Sequence, residues 1–566
     1  MSIIQLKEAN CKNCYKCIRH CDVKSITFHD DQAHILEDEC VLCGKCTMIC
    51  PQNAKQIQSD VQKVCAMIDR GERVYASIAP SFVASFRGVS FAQLSAALKR
   101  LGFAGAEETA IGATAVSAEY ARITEAHQAP NLITTCCPTI NMLVEKYFPD
   151  LLDQLAPVPS PAVAHARMLR AAHGEDAKVV FIGPCISKKQ EAITSGAMDA
   201  ALMYDELKEW LRRENIAVNG EEDPEALEMH HTLSRVYPVP GGVLKTIPQE
   251  KRSHYMAVAV DGLDRCIQTL KDIREHHITG YLLEMSSCVD SCVGGPGIRG
   301  HEATPFLVSK EEVYAFSRRS NKGELPASER VSVNMAEEYK PKQAKKAMPS
   351  EEEIRQILRS IGKNTEADML NCGACGYDTC REKAIAVYQG KAHLKMCLPY
   401  MRQRAESMSN TILDNTPNGL LVLDKQFRLL QFNRSAAGIL NLDNSCLGMD
   451  ISAFLNMDEL SAIRESGERV MGVRCKTAIY DVMVEQSIVA ISDREYLVLF
   501  KDISAEEESL REMDKMRQET IATAQAVIDK QMRVAQEIAS LLGETTGETK
   551  AALLKLKDSM GQGGRL

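Results

Sequence analysis

The chain has 566 residues, too many for one hydrophobic core, and length alone argues for about three to five domains. Its 45% apolar and 25% charged residues are those of an ordinary folded protein, and a net charge of -9 speaks against nucleic acid as the main partner, because phosphate binding needs a basic face. No apolar stretch reaches the ~18 residues of a membrane span and the first eight residues lack the apolar core of a signal peptide, so a cytoplasmic protein without membrane contact is expected.

The 21 cysteines give the first positive indication. In a long chain without an export signal, clustered cysteines ligate metal more often than they form disulfides. Cys11, Cys14, Cys17 and Cys21 form one C-x2-C-x2-C-x3-C run; Cys40, Cys43, Cys46 and Cys50 form a second, followed by Pro51. Three thiolates on one tight loop cap three irons of a cubane, and in two-cluster ferredoxins the fourth iron takes a cysteine from the other run. The expected sets are Cys11, Cys14, Cys17 with Cys50, and Cys40, Cys43, Cys46 with Cys21. They give two [4Fe-4S] clusters in a ferredoxin-like relay module over residues 1–60. Zinc would group its four ligands differently. Asp22 stands where such modules usually carry proline.

Over residues 61–335 the texture is α/β. Val74–Ile78 and Val179–Ile182 read as buried strands, and Phe91–Leu101 as a helix. Cysteines follow three such strands: Thr134-Thr135-Cys136-Cys137-Pro138 after Asn131–Ile133, Gly183-Pro184-Cys185-Ile186-Ser187-Lys188-Lys189-Gln190-Glu191 after the second strand above, and Glu284-Met285-Ser286-Ser287-Cys288-Val289-Asp290-Ser291-Cys292 after Tyr281–Leu283. Loops beyond the carboxyl ends of strands are where open α/β sheets hold ligands. A convergence of Cys137, Cys185, Cys288 and Cys292 would hold one more cubane, with Lys188 as a cation beside it and Gly294, Gly295 and Gly297 allowing close backbone approach. Singly, each cysteine is better read as a small core hydrophobe.

Together the three loops resemble the signature loops of [FeFe]-hydrogenases, T-S-C-C-P, P-C-x-x-K-K-x-E and E-x-M-x-C-x-x-x-C, over roughly residues 1–300 with the ferredoxin module in front. The resemblance implies an H-cluster, a [4Fe-4S] cubane joined to a diiron subcluster with CO, cyanide and azadithiolate ligands. It implies that Cys137, Cys185, Cys288 and Cys292 hold the cubane, with Cys292 also bridging to the diiron part. Lys188 would donate to a cyanide, Ala79, Pro80 and Ser81 would line the same pocket, and Cys136 would be the proton donor. The reaction implied is reversible H2 oxidation and proton reduction. Gly183 and Ser286 stand where active members commonly carry methionine. The usual acidic proton path is not evident between Phe103 and Ile123, where Glu119 is a weak candidate, and Ala156 stands where a serine is expected. These departures resemble the sensory branch and imply slow turnover.

Lys340–Lys346 reads as a solvated linker. Beyond it, Cys372-x2-Cys375-x4-Cys380-x16-Cys397 provides ligands for a further [4Fe-4S] cluster in a small domain over 350–402, with a four-thiolate zinc site as the alternative. Cys65, Cys266, Cys446 and Cys475 are read as unligated thiols. Residues 405–504 resemble an α+β PAS domain: strands at Leu420–Asp424, Leu429–Asn433, Tyr480–Val489 and Tyr496–Lys501, with a short helix at Ser435–Leu440. His393 is the last histidine, which excludes a histidine-ligated haem there and a phosphoacceptor histidine after it. Over 505–566 a helix is expected from Ala505 to Leu542, with Ile521, Ile528, Ala535 and Leu542 at seven-residue spacing suited to a coiled-coil dimer, and a disordered end from Gly561.

The expectation is therefore an α/β multidomain, oxygen-free-metabolism protein of ferredoxin-type [FeFe]-hydrogenase character. It would couple H2 or redox state to a separate kinase or phosphatase as a homodimer. Its other partners would be a redox carrier such as ferredoxin and the hydrogenase maturation proteins. The competing reading is a non-catalytic iron–sulfur protein that never binds the diiron subcluster; a third is a metabolic hydrogenase whose PAS domain is merely structural.

Overall fold

The structure is a computed structural model and describes all residues except 1–2, 8–9, 30–31, 128, 231, 299–304, 320–323, 343–346, 452–469, 478–481, 493 and 561–566, together with the side chains of 470, 544–545 and 558–560. It divides into two compact units, residues 1–401 and 402–566. The expected disordered end, the start of the Tyr480–Val489 strand and part of the lysine-rich linker lie outside the described residues.

The first unit opens with the ferredoxin-like module. Strand Ile4–Leu6 pairs antiparallel with Lys55–Ile57, and Ile26–His29 with Gln32–Ile35. The two cysteine runs fold alike. Asn13 and Tyr15 in the first, Leu42 and Gly44 in the second, take left-handed backbone angles at equivalent places. Amides four residues on point at matching sulfurs, Ser25 N to Cys21 Sγ at 3.4 Å and Ala54 N to Cys50 Sγ at 3.3 Å. Asp22 pairs with Lys45 at 3.1 Å, so the residue in the proline position ties one run to the other.

The α/β domain contains two parallel sheets. One has strands Gly105–Glu108, Val74–Ile78, Lys178–Gly183 and Ala200–Met203 in that order; the other has Met256–Asp261, Tyr281–Ser286 and Leu132–Ile133. The strands Val74–Ile78 and Lys178–Gly183 are almost continuously apolar and buried, as strands covered on both faces must be. Their carboxyl ends deliver Ala79, Cys185, Cys136, Cys137 and Cys288, as the sequence suggested.

The chain does not leave this domain as a free linker. Residues 331–342 lie along it: Glu337 N donates to Pro157 O, Tyr339 Oη to Val158 O at 2.9 Å, and Lys342 N to Glu145 O. The four-cysteine segment follows, with helices Glu351–Ser360 and Cys380–Tyr388 each opened by a capping box, Ser350 with Glu353 and Thr379 with Glu382.

The second unit is built on a five-stranded antiparallel sheet in the order Leu429–Phe432, Gly419–Asp424, Glu495–Asp502, Met483–Ser492, Val470–Lys476. The described strands fall where the sequence reading placed them, with one more, Val470–Lys476, that it missed. Asn433 fastens the entry to the sheet, accepting from Leu420 N and Ala436 N and donating to Leu413 O and Asn418 O. The closing helix runs Ser504–Met560, longer than expected. No helix among the described residues is long and apolar enough to cross a membrane.

One buried ion pair holds the α/β domain together near its strand ends. The fully buried guanidinium of Arg235 grips Glu108, Nε to Oε2 at 2.7 Å, and donates to Glu228 and to the carbonyls of Phe316 and Arg319. Arg235→Met leaves the Glu108 carboxylate buried without a cation, so a loss of about 3–5 kcal/mol is expected. It should show as a lower urea midpoint at unchanged slope.

Candidate metal centre

Four thiols from three separate loops meet inside the α/β domain. Burial pushes the Cys185, Cys288 and Cys292 thiols up. Cys137 raises Cys185 further, Cys185, Cys137 and then Cys292 raise Cys288, and Cys185 and Cys137 raise Cys292. Such mutual effects put the four thiols within electrostatic reach of one another. Among the described residues none of the cysteine groups closes to the spacing of ligands around a single ion. Cys292 is exposed although it lies deep in the domain, so its accessible face borders internal space. Four thiolates cannot be buried together unless cations stand between them. The donor set and the space beside Cys292 therefore fit an iron–sulfur group.

The same geometry appears twice in the ferredoxin module. Burial pushes Cys17 up to about 11, and Cys50, Cys11 and Cys14 raise it too. Burial pushes Cys43 up to about 12, with Cys21 and Cys40 beside it, and Cys46 feels Cys43, Cys40 and Cys21. The structure thus brings together the crossed sets read from the spacing. In the third group, Cys375 feels Cys397 and Cys372, and all three line one recess with Cys380.

Around the four central thiols, Lys188 is buried and donates to Ser160 Oγ at 2.7 Å and to Glu191 Oε2 at 2.6 Å. Two of its three donors are thereby used and one remains for a ligand. Its charge acts against the upward shift of Cys292. Ser81 is buried and bonded to Tyr204 Oη at 2.8 Å, and Tyr204 donates to Ala79 O; the Ser81 hydroxyl is thus engaged with protein beside Pro80. Gly183 has a neighbour where a side chain would go: a Cβ there would stand 2.5 Å from the Phe181 ring, which fills that space.

Cys136 is pushed up to about 12, first by burial, with Tyr120 donating to it in opposition. Tyr120 Oη lies 3.4 Å from Cys136 Sγ and 3.2 Å from Thr135 Oγ1, and accepts from Thr135 N. Tyr237 also faces Cys136 and is bonded through its hydroxyl to Ser117, which reaches Thr246. The sequence reading offered Glu119 at this place. The structure turns Glu119 to Arg122 in a surface pair, and the neighbouring Tyr120 takes the inward position. Tyr120 and Tyr237 were missed; the signal available was only that Tyr120 lies one residue round the helix from Glu119. Ala156 is buried in the apolar cluster beside Cys136 and supplies no hydroxyl. Cys266 is a buried thiol donating to the carbonyls of Val260 and Ser286.

Glu284 closes the surroundings of Cys136. Burial raises its carboxyl to about 7 against the pull of amides at Gly241 and Leu244, and Cys136 and Tyr237 are the titratable groups facing it. A carboxyl raised in the fold stabilises it most below the ordinary value of 4.5, and this is lost as pH rises through about 7. The effect amounts to at most about 3 kcal/mol. The thermal midpoint should fall between pH 5 and pH 8, and fall less in Glu284→Gln.

Residues 72–296 match the family of the iron only hydrogenase large subunit, C-terminal domain; residues 33–56 match a 4Fe-4S binding domain and 368–399 an Fe-S cluster family. The chain is similar to the NADP-reducing hydrogenase subunit HndD of Solidesulfovibrio fructosivorans, 21% identical over 51% of this chain and 61% of that one, so it spans less than two thirds of that relative. It is 25% identical to the periplasmic [Fe] hydrogenase large subunit of Nitratidesulfovibrio vulgaris over 52% of this chain and 86% of the other. Among solved structures, a single-residue variant of the [FeFe]-hydrogenase HydA1 from Chlamydomonas reinhardtii aligns at 16% identity and TM-score 0.39, covering 51% of this chain and all of that one. A PAS domain of an HTR-like protein from Haloarcula marismortui aligns at 21% identity and TM-score 0.16, covering 19% and 97%. The family match thus lies on residues 72–296, the iron only hydrogenase large-subunit domain, with a 4Fe-4S binding module before it.

Proposed function

We propose that this chain is a slow, sensory hydrogenase, which oxidises H2 or reduces protons at an H-cluster and passes its redox state to a signalling partner. The observation that carries the reading is the meeting of Cys137, Cys185, Cys288 and Cys292 with Cys136 and Lys188 close by. When bound, the H-cluster supplies the chemistry that makes and breaks the H–H bond. Cys137, Cys185, Cys288 and Cys292 hold the cubane, and Lys188, with Pro80 and Ser81 near the pocket wall, holds the anionic ligands of the diiron part. Cys136, with its thiol pushed up to about 12, keeps a proton on Sγ at neutral pH. Tyr120 Oη sits within reach to exchange it, and Tyr237, Ser117 and Thr246 extend a row of hydroxyls. The hydroxyl row itself holds no carboxylate, Glu284 facing Cys136 from outside it, and transfer along the row is slow near neutral pH because hydroxyls neither gain nor lose protons readily there.

The two N-terminal cubanes and the third cluster, at Cys372, Cys375, Cys380 and Cys397, carry electrons to and from a redox partner such as ferredoxin, after maturation proteins have built the H-cluster. Helix Leu398–Asn415 begins at the residue after Cys397 and leads into the PAS strand Gly419–Asp424. Helix Ser504–Met560 leaves the last PAS strand with Ile521, Ile528 and Leu542 exposed at heptad positions, which suits pairing with a second copy. A kinase or phosphatase reading that helix, and a cytoplasmic location, belong to the same proposal. The reading without a diiron subcluster draws on the Phe181 ring beside Gly183 and on the turning of Glu119 to Arg122.

Protein matured with the assembly machinery is expected to give infrared bands of CO and cyanide; their absence would favour the non-catalytic reading. Its H2 uptake should stay far below that of metabolic hydrogenases. Tyr120→Phe should keep the bands but lower H2/D2 exchange about 100-fold, the low end of the acid–base range. Ending the chain after residue 503 should turn a dimer into a monomer by light scattering.

A further inference from the structure

The third cysteine domain is berthed on the ferredoxin module. Lys24 Nζ donates to Gly376 O at 2.7 Å, and the Arg19 guanidinium joins Ala374 O to Cys14 O. Phe28 N bonds Lys391 O, and Lys391 forms a buried ion pair with Glu39. The contact is too close for a side chain at residue 376: a Cβ on Gly376 would come within 2.7 Å of Ile18 Cγ2. Buried Tyr377 joins one apolar cluster with Ile18 and Cys21, against which Cys17, Cys46 and Cys375 also pack. Its phenol is raised by burial first, then by Cys375 and by Cys21. On the opposite side, Gly44, between Cys43 and Cys46, abuts Ile186 and Pro296; these follow Cys185 and Cys292 in their loops. The set Cys21, Cys40, Cys43 and Cys46 thus lies against the central cysteines on one side and the third domain on the other.

We propose that the third cysteine group exchanges electrons with the rest of the chain through the Cys21, Cys40, Cys43 and Cys46 site, across Tyr377. The step moves one electron. The inner site is oxidised, the outer site is reduced, no bond forms or breaks, and no proton moves. The electron comes from H2 in the proposed reaction or from an external low-potential donor. This inference rests on the reading that all three groups hold clusters.

The test uses the full chain loaded with iron and sulfide and reduced with dithionite. Iron content separates the two levels: protein that never loads the third group refutes the underlying reading, whatever the relay. In fully loaded protein, neighbouring reduced clusters broaden each other's electron paramagnetic resonance signals. Broadening of the third signal should persist in Cys14→Ser and be lost in Cys43→Ser, with Cys40→Ser read in the same way should Cys43→Ser not fold. Loss in Cys14→Ser, or persistence in the Cys43→Ser or Cys40→Ser protein, overturns the proposed order.

Discussion

Thiolates buried in one another's company repel, and only cations placed among them make the burial tolerable. The first unit is arranged around that constraint. Burial pushes up the thiols of Cys17, Cys43 and Cys288, and neighbouring cysteines push in the same direction. The protein adds few charges of its own. Lys188 lies among the central thiols, and Lys383 lies near Cys375 and Cys397, its ammonium lowered to about 8 by burial. Most of the neutralisation is left to the inorganic groups, so folding and cluster loading are coupled in each of the three cysteine regions.

Convergence of this kind also dictates how the domains meet. Lys146 of the α/β domain donates to Cys40 O and Glu37 O, and Gly44 admits Ile186 and Pro296 at a distance that a side chain would forbid. On the far side Lys391 and Glu39 form a buried pair. Each joint is made beside a cysteine loop, and the cysteines there pack against the apolar cores on either side.

Much of this was legible because ligand spacing is local. The crossed pairing of Cys21 and Cys50 is expected because two-cluster ferredoxins pair their runs that way, and strands such as Val74–Ile78 announce themselves by largely apolar runs. What was not legible depends on packing between distant segments. Glu119 and Tyr120 are neighbours in sequence, and only the orientation of their helix against the Cys136 loop decides which faces inward. Gly183 reads as a missing side chain until the Phe181 ring is seen in its place. The lysine-rich stretch reads as solvated, yet Lys342 pairs with buried Glu145 and half-buried Tyr339 bonds Val158 O and Asn141. In the PAS domain the strand Val470–Lys476 was overlooked because a glycine and two charged residues interrupt its apolar pattern.

The anchoring of residues 331–342 has a consequence for the third domain. Lys342 is fixed to Glu145, and Ser350 already opens the next helix, so eight residue steps separate the two fixed points. At full extension such a connection reaches no more than about 29 Å. The domain therefore lives at a high effective concentration beside its berth. The apolar cluster around Tyr377 and Ile18, with the Lys391–Glu39 pair, closes against only a short tether.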